Sequence, residues 1–139
     1  MGLPVLIDSS LLIAAMNARE THHGRAAAAL ESSATSGVLV PVTILAETMG
    51  LVGRRYGLHH QRRIWDAALG SALTILSADA ALIEQARAID RAYEDVGFGF
   101  ADCMLLATCE RERIARVLSF DRQLAAYRPS FAAALEVLP

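Results

Sequence analysis

The chain contains no lysine, and all 13 of its basic residues are arginine. That absence excludes two chemistries, because a Walker A loop needs a Gly-Lys pair at the nucleotide phosphates and Schiff-base catalysis needs a primary amine. Cysteine is equally sparse. Cys103 and Cys109 fall in one apolar segment without a partner cysteine or histidine at zinc-site spacing, so they read as buried free thiols. A strong charge of either sign is missing too. A net charge of −2 gives no global attraction to nucleic acid, so any such ligand needs local arginine clusters and bound cations. No uncharged run is both long and apolar enough to cross a bilayer. The opening MGLPVLIDSSLLIAAM lacks a basic leader and carries Asp8 within its apolar stretch, unlike a secretory signal, and Leu6 stands where a myristoylation pattern wants Ser or Thr. A cytoplasmic chain without membrane contact is the expectation.

What is present points to a single folded unit. At 139 residues, 54% apolar and 20% charged, the chain can bury one continuous core but not two, and it is too apolar for disorder. Short apolar runs alternate with helical patterns, the arrangement of an α/β domain with a mainly parallel sheet. Strands are expected at Leu3–Ile7, Val38–Val40, Leu73–Ile75, Val117–Ser119 and Leu135–Leu138. Helices are expected after Asp8, over His23–Thr35, from Pro41 to near Gly57, over His59–Leu69, and over Ala78–Tyr93 with Ser77 as its cap. Gly97 or Gly99 then introduces a last apolar helix, FADCMLLATCERER.

Four carboxylates sit in positions that surface solvation explains poorly. Asp8 follows the run VLI at the carboxyl end of the first expected strand, where open α/β sheets bind ligands; capping the next helix is the alternative job. Glu47 shares a helix face with Ile44 and Leu51, with no arginine at a helical neighbour position. Asp102 is the lone charge between Gly97 and Cys109. Its helical neighbours Phe98, Leu105 and Leu106 mark a core-facing side, although a first-turn Asp also complements the helix dipole. Asp121 follows VLSF in the same relation to its strand as Asp8, with a turn or cap role as the alternative. Clustered carboxylates raise one another's pKa values unless positive charge lies among them, and a hard divalent cation meets that need with oxygen ligands. Ser10 and Ser119 can add hydroxyls nearby.

The stretches VLIDSSLLI, ILAETMG, FADCMLLATCER and VLSFDRQL, in that order across nearly the whole chain, resemble the PIN-domain family and specifically its VapC-like toxins. The family acids fall on Asp8, Glu47, Asp102 and Asp121, with Ser10 and Ser119 at the accompanying polar positions. Ser9 stands where many relatives carry Thr. The resemblance implies one PIN-like nuclease domain over residues 1–139, with a parallel sheet of four or five strands flanked by helices. It implies endonucleolytic hydrolysis of RNA with Mg²⁺ or Mn²⁺ held by the four acids, Asp8, Asp102 and Asp121 mainly as ligands and Glu47 as ligand or water-orienting group. It also implies a small antitoxin over the active site and a homodimer or toxin–antitoxin hetero-oligomer. Arg54, Arg55, Arg62 and Arg63 are candidate RNA contacts, with a solvated helix surface as the simpler alternative. Leu11, Leu12, Leu51 and Val52 are candidates for the antitoxin groove, with core packing as the alternative. Phosphoaspartyl enzymes also place an Asp after the first strand. They normally use a lysine absent here, and the dehalogenase-like group needs an acid at Ser10. A PIN-like module that binds RNA or protein without catalysis is the remaining alternative.

Overall fold

In the computed structural model, which describes residues 2–139, the apolar run VLI forms strand β1 (Val5–Ile7), buried along its whole length. The expected strand began at Leu3. Pro4 has no N–H to give to a ladder and Leu3 is 70% exposed, so pairing begins one residue after the proline. Helices α1 (Ser9–Met16) and α2 (His23–Ser33) follow, then β2 (Val38–Pro41), α3 (Val42–Tyr56), α4 (Leu58–Leu69) and β3 (Leu73–Leu76). The chain returns through α5 (Ala80–Ala92) and α6 (Phe100–Glu112) to β4 (Arg116–Leu118), a short 3-10 turn at Arg122–Ala126, and β5 (Glu136–Leu138).

The five strands make one sheet in the order β3-β2-β1-β4-β5, and every neighbouring pair is parallel. Parallel strands need crossover connections that place helices on the sheet faces, which is why β1, covered on both sides, can be uniformly apolar. The path moves outward from β1 to β3, then restarts on the other side of β1 at β4. The carboxyl ends of β1 and β4 therefore flank the topological switch point of the sheet, the crevice where such folds bind ligands.

Helix α6 is buried without a break from Cys103 to Cys109, so no polar stripe interrupts it. Its one hydroxyl in that run, Thr108, is satisfied by donating to the Met104 carbonyl at 2.7 Å. Both cysteines are buried and unpaired, as thiols in the core. Helix α3 buries Ile44, Thr48 and Val52, one residue per turn, against the same core and a small adjoining cluster with Ile13 and Ile64. Gly57, at φ +93°, makes the sharp corner into α4 that an L side chain would strain. Ser77 does not cap α5. The chain stays extended for two more residues, and Asp79 takes the position, accepting from the Leu82 N–H at 2.9 Å. Among the described residues no helix is long and apolar enough to cross a membrane.

Candidate active site

Parallel pairing sets the first contact of the site. Leu6 lies opposite Val117 and Ile7 opposite Leu118, and the Asp8 N–H donates to the Leu118 carbonyl at 2.9 Å. The next rung sets Asp8 beside Ser119, so Ser119, rather than Asp121 two residues later, has the same relation to its strand as Asp8. The Ser119 hydroxyl donates to Asp8 Oδ2 at 2.7 Å. Ser10 Oγ is 3.4 Å from the same oxygen and 3.2 Å from Ser119 Oγ, so its single proton goes to one or the other. The Phe120 N–H donates to Ser10 Oγ and the Asp121 N–H to Ser119 Oγ, each at 3.0 Å. Two serines thus join the end of β1 to the loop after β4.

Asp8 occupies the cap position of α1, yet its side chain makes no capping hydrogen bond. It is only 3% exposed, and Oδ1 has no hydrogen-bond partner at all. Burial pushes its carboxyl above the usual carboxylate range, the Ser119 hydroxyl and Ser9 N–H partly offset that, and the charges of Glu47 and Asp121 add to the rise. Glu47 is brought in by α3 and held by the Ser9 hydroxyl, which donates to Oε2 at 2.7 Å. Asp102 lies in the first turn of α6 and accepts from the Gly99 N–H at 3.3 Å, so a capping role is real. Capping alone would lower its pKa. Instead the carboxyl is pushed up to about 6, by burial first and then by the charge of Asp8, against the Gly99 hydrogen bond, with Asp121 and Glu47 adding to the rise. Asp121 accepts from the Gln123 N–H at 3.0 Å and starts the short turn.

Asp8 thus feels the charges of Glu47 and Asp121, and Asp102 feels those of Asp8, Asp121 and Glu47. Among the described residues, however, no three His, Cys, Asp or Glu side chains approach closely enough to form a ready-made ligand set. A caged ion coordinated wholly by protein does not fit this arrangement. A hydrated hard cation does, because Mg²⁺ normally keeps several waters and takes one or two carboxylates plus substrate phosphate. The unpartnered Asp8 Oδ1 and the raised Asp8 and Asp102 carboxyls are the features that such a cation would relieve.

A family model described as PIN domain matches residues 5–128. The chain belongs to the PIN-domain family. One relative, Ribonuclease VapC26 of Mycobacterium tuberculosis, is 32% identical over 136 residues, 97% of this chain and 100% of that protein. Among solved structures, Mycobacterium tuberculosis VapC20, described as a sarcin-ricin loop cleaving toxin, matches with a TM-score of 0.83 at 24% identity, covering 93% of this chain and 98% of that one. A toxin–antitoxin complex from Klebsiella pneumoniae matches with a TM-score of 0.71 at 20% identity, covering 97% of this chain and 96% of that one. At those identities the two structures speak for the PIN fold itself.

The expected auxiliary residues fare unevenly. Leu11, Leu12 and Val52 are fully buried, so they cannot line a docking groove; their helix faces are consumed by the core. Leu51 alone of that set borders a cleft of about 490 Å³ beside the acids. Arg55 lines the same cleft and pairs with Glu20 at 3.2 Å, while Arg54, Arg62 and Arg63 are exposed residues outside its lining. Sequence reasoning missed Ser9 as the residue holding Glu47, and missed Arg19, Glu20, His22 and Phe120 as cleft lining. Only Phe120 offered a signal, as an aromatic side chain set between Ser119 and Asp121.

Proposed function

We propose that this chain is a divalent-cation-dependent endoribonuclease acting as the toxin of a toxin–antitoxin pair. The observation that carries the reading is Asp8 at the sheet's switch point, a buried carboxyl that keeps one oxygen without a partner and is raised further by the charges of Glu47 and Asp121, as Asp102 is by that of Asp8. The 32% identity to a named ribonuclease over nearly the full chain supports it independently.

Asp8, Asp102 and Asp121 are the residues that would hold Mg²⁺ or Mn²⁺. When bound, the cation supplies Lewis acidity, making water easier to deprotonate and neutralising charge on the attacked phosphate. Ser119 fixes the Asp8 carboxylate through Oδ2, while Oδ1 is buried without a hydrogen-bond partner. Ser9 fixes Glu47 through Oε2, which leaves Oε1 to accept a proton from, or orient, the attacking water. Ser10 ties the Phe120 backbone to the same framework and so keeps Asp121 in place. The acids need this scaffold because, without a cation, they repel.

A protein partner is supported by the exposed apolar side chains Val42, Trp65, Leu69 and Ile75, which border one cleft of about 310 Å³ on α3, α4 and the edge strand β3. The partner that this surface would take is a small antitoxin or a second copy of the chain. The purified chain is expected to cut structured RNA with Mg²⁺ or Mn²⁺ and to stop on addition of EDTA. Asp102→Asn should abolish cleavage while the circular dichroism spectrum stays native. Undiminished cleavage by that variant removes Asp102 from the mechanism. Expression should arrest growth unless a small neighbouring gene product is supplied, and harmless expression in several hosts refutes the toxin assignment while leaving nuclease activity to be judged separately.

A further inference from the structure

The cleft beside the acids contains an aromatic and cationic arrangement that cation binding does not use. Phe120 stands between Ser119 and Asp121, its own N–H bound to Ser10 and the next one to Ser119, so its place relative to the acids is fixed. The His22 ring lies 4.9 Å from the Phe120 ring and is tilted by 35°, while Arg25, which lines a different cleft, holds its guanidinium over the Phe120 ring at 5.5 Å from the centroid. His22 is exposed, which leaves the aromatic pair open to the cleft and to solvent. Arg19 lines the same cleft and has no acidic partner among the described residues, whereas the charge of Arg55 is shared with Glu20. The volume, about 490 Å³, lies within the range of small-ligand sites.

We propose that this cleft takes one unpaired RNA nucleotide next to the bond being cut, with its base stacked on the Phe120–His22 pair and its phosphate facing Arg19. The inference rests on the ribonuclease reading for the identity of the polymer. Aromatic faces accept any base, so the site selects for an unstacked nucleotide rather than for a sequence, and fully paired RNA cannot enter it. Arg19 opposes the repulsion that phosphate meets from the nearby acids. Phe120 also packs against the edge of the core, and a purely structural ring is the competing explanation that the test must separate.

The test uses the full chain in EDTA, in an Asp102→Asn background, so that no RNA is consumed. The probe is a short fluorescein-labelled single-stranded oligoribonucleotide, compared with the same strand carrying abasic sites and with its duplex. The intact strand should bind roughly tenfold tighter than the abasic one, the amount expected of one base stack. Phe120→Leu, which keeps an apolar side chain on the core, should remove that preference without shifting the unfolding midpoint. Phe120→Trp in a Trp65→Phe background should keep the preference, and the single indole should be quenched by the intact strand only. Equal affinity for intact and abasic strands, a preference that survives Phe120→Leu, or no binding of any strand overturns the proposal. Cleavage without base preference would leave the ribonuclease reading standing and remove the subsite. Base preference without cleavage under any cation would do the reverse.

Discussion

At the scale of single residues, burial and neighbouring charge together oppose ionisation, and Asp102 shows it most directly. Its carboxyl ordinarily titrates at 3.8 and is raised to about 6. A raised acid binds its proton more tightly when folded, so its contribution to stability is complete below 3.8 and is lost as pH rises through about 6. At neutral pH the cation-free protein therefore carries a repulsive charge. Asp102→Asn should stabilise it by about 1 kcal/mol in EDTA, the shift being discounted for partial exposure. Urea denaturation measures this, and a destabilised variant would contradict the proposed repulsion. For catalysis the bound cation competes with the Asp102 proton, so the rate should decline on acidification at a pH that moves lower as the cation concentration rises, and a decline independent of cation concentration would dissociate Asp102 from the cation site.

At the scale of elements, α6 and the chain after it depend on a tie that periodicity could not reveal. Glu110, near the end of α6, accepts hydrogen bonds from the Tyr127 hydroxyl and from both the N–H and hydroxyl of Ser130. Burial alone would raise the Glu110 carboxyl, but these donors outweigh it and hold it below its ordinary range. The Tyr93 hydroxyl accepts from the Arg128 N–H at 3.0 Å, fastening the same segment to the residue that follows α5. Tyr127→Phe should cost about 1 kcal/mol, the usual effect of losing one such hydrogen bond. It should also speed amide exchange in residues 127–135 more than in β1. Uniform acceleration across the chain would mean that the tie is not local. The helices themselves were legible, because their apolar faces recur at helical spacing. Their ends were less so: Ser77 and Asp79 are both plausible caps two residues apart, and only the path of the backbone chooses.

At the scale of the whole molecule, the sheet order sets the ends of β1 and β4 side by side. Because β1 lies between β2 and β4, the loops that follow β1 and β4 are neighbours, and α3 and α6, which pack on one another, carry Glu47, whose charge reaches Asp8, and Asp102, which the charge of Asp8 reaches. A cation bound there by the native state alone should raise the unfolding midpoint. At a free concentration one hundred times its Kd, the stabilisation is about 2.7 kcal/mol. Scanning fluorimetry with Mg²⁺ or Mn²⁺ should show the shift in the unsubstituted chain, its reversal by EDTA, and its loss in Asp8→Asn. A shift of the same size in Asp8→Asn would place the cation elsewhere.

The amino-acid order by itself determined the α/β class and the mainly parallel character of the sheet, and it singled out four acids as candidates, since apolar spacing and isolated charges are local properties. Tertiary structure alone decided that Ser119 reaches Asp8 across 111 positions and Ser9 reaches Glu47 across 38. It likewise turned Leu11, Leu12 and Val52 inward and opened the cleft around Phe120. Those outcomes depend on which strands pair and which helix faces meet, and local propensity carries no information about partners so distant along the chain.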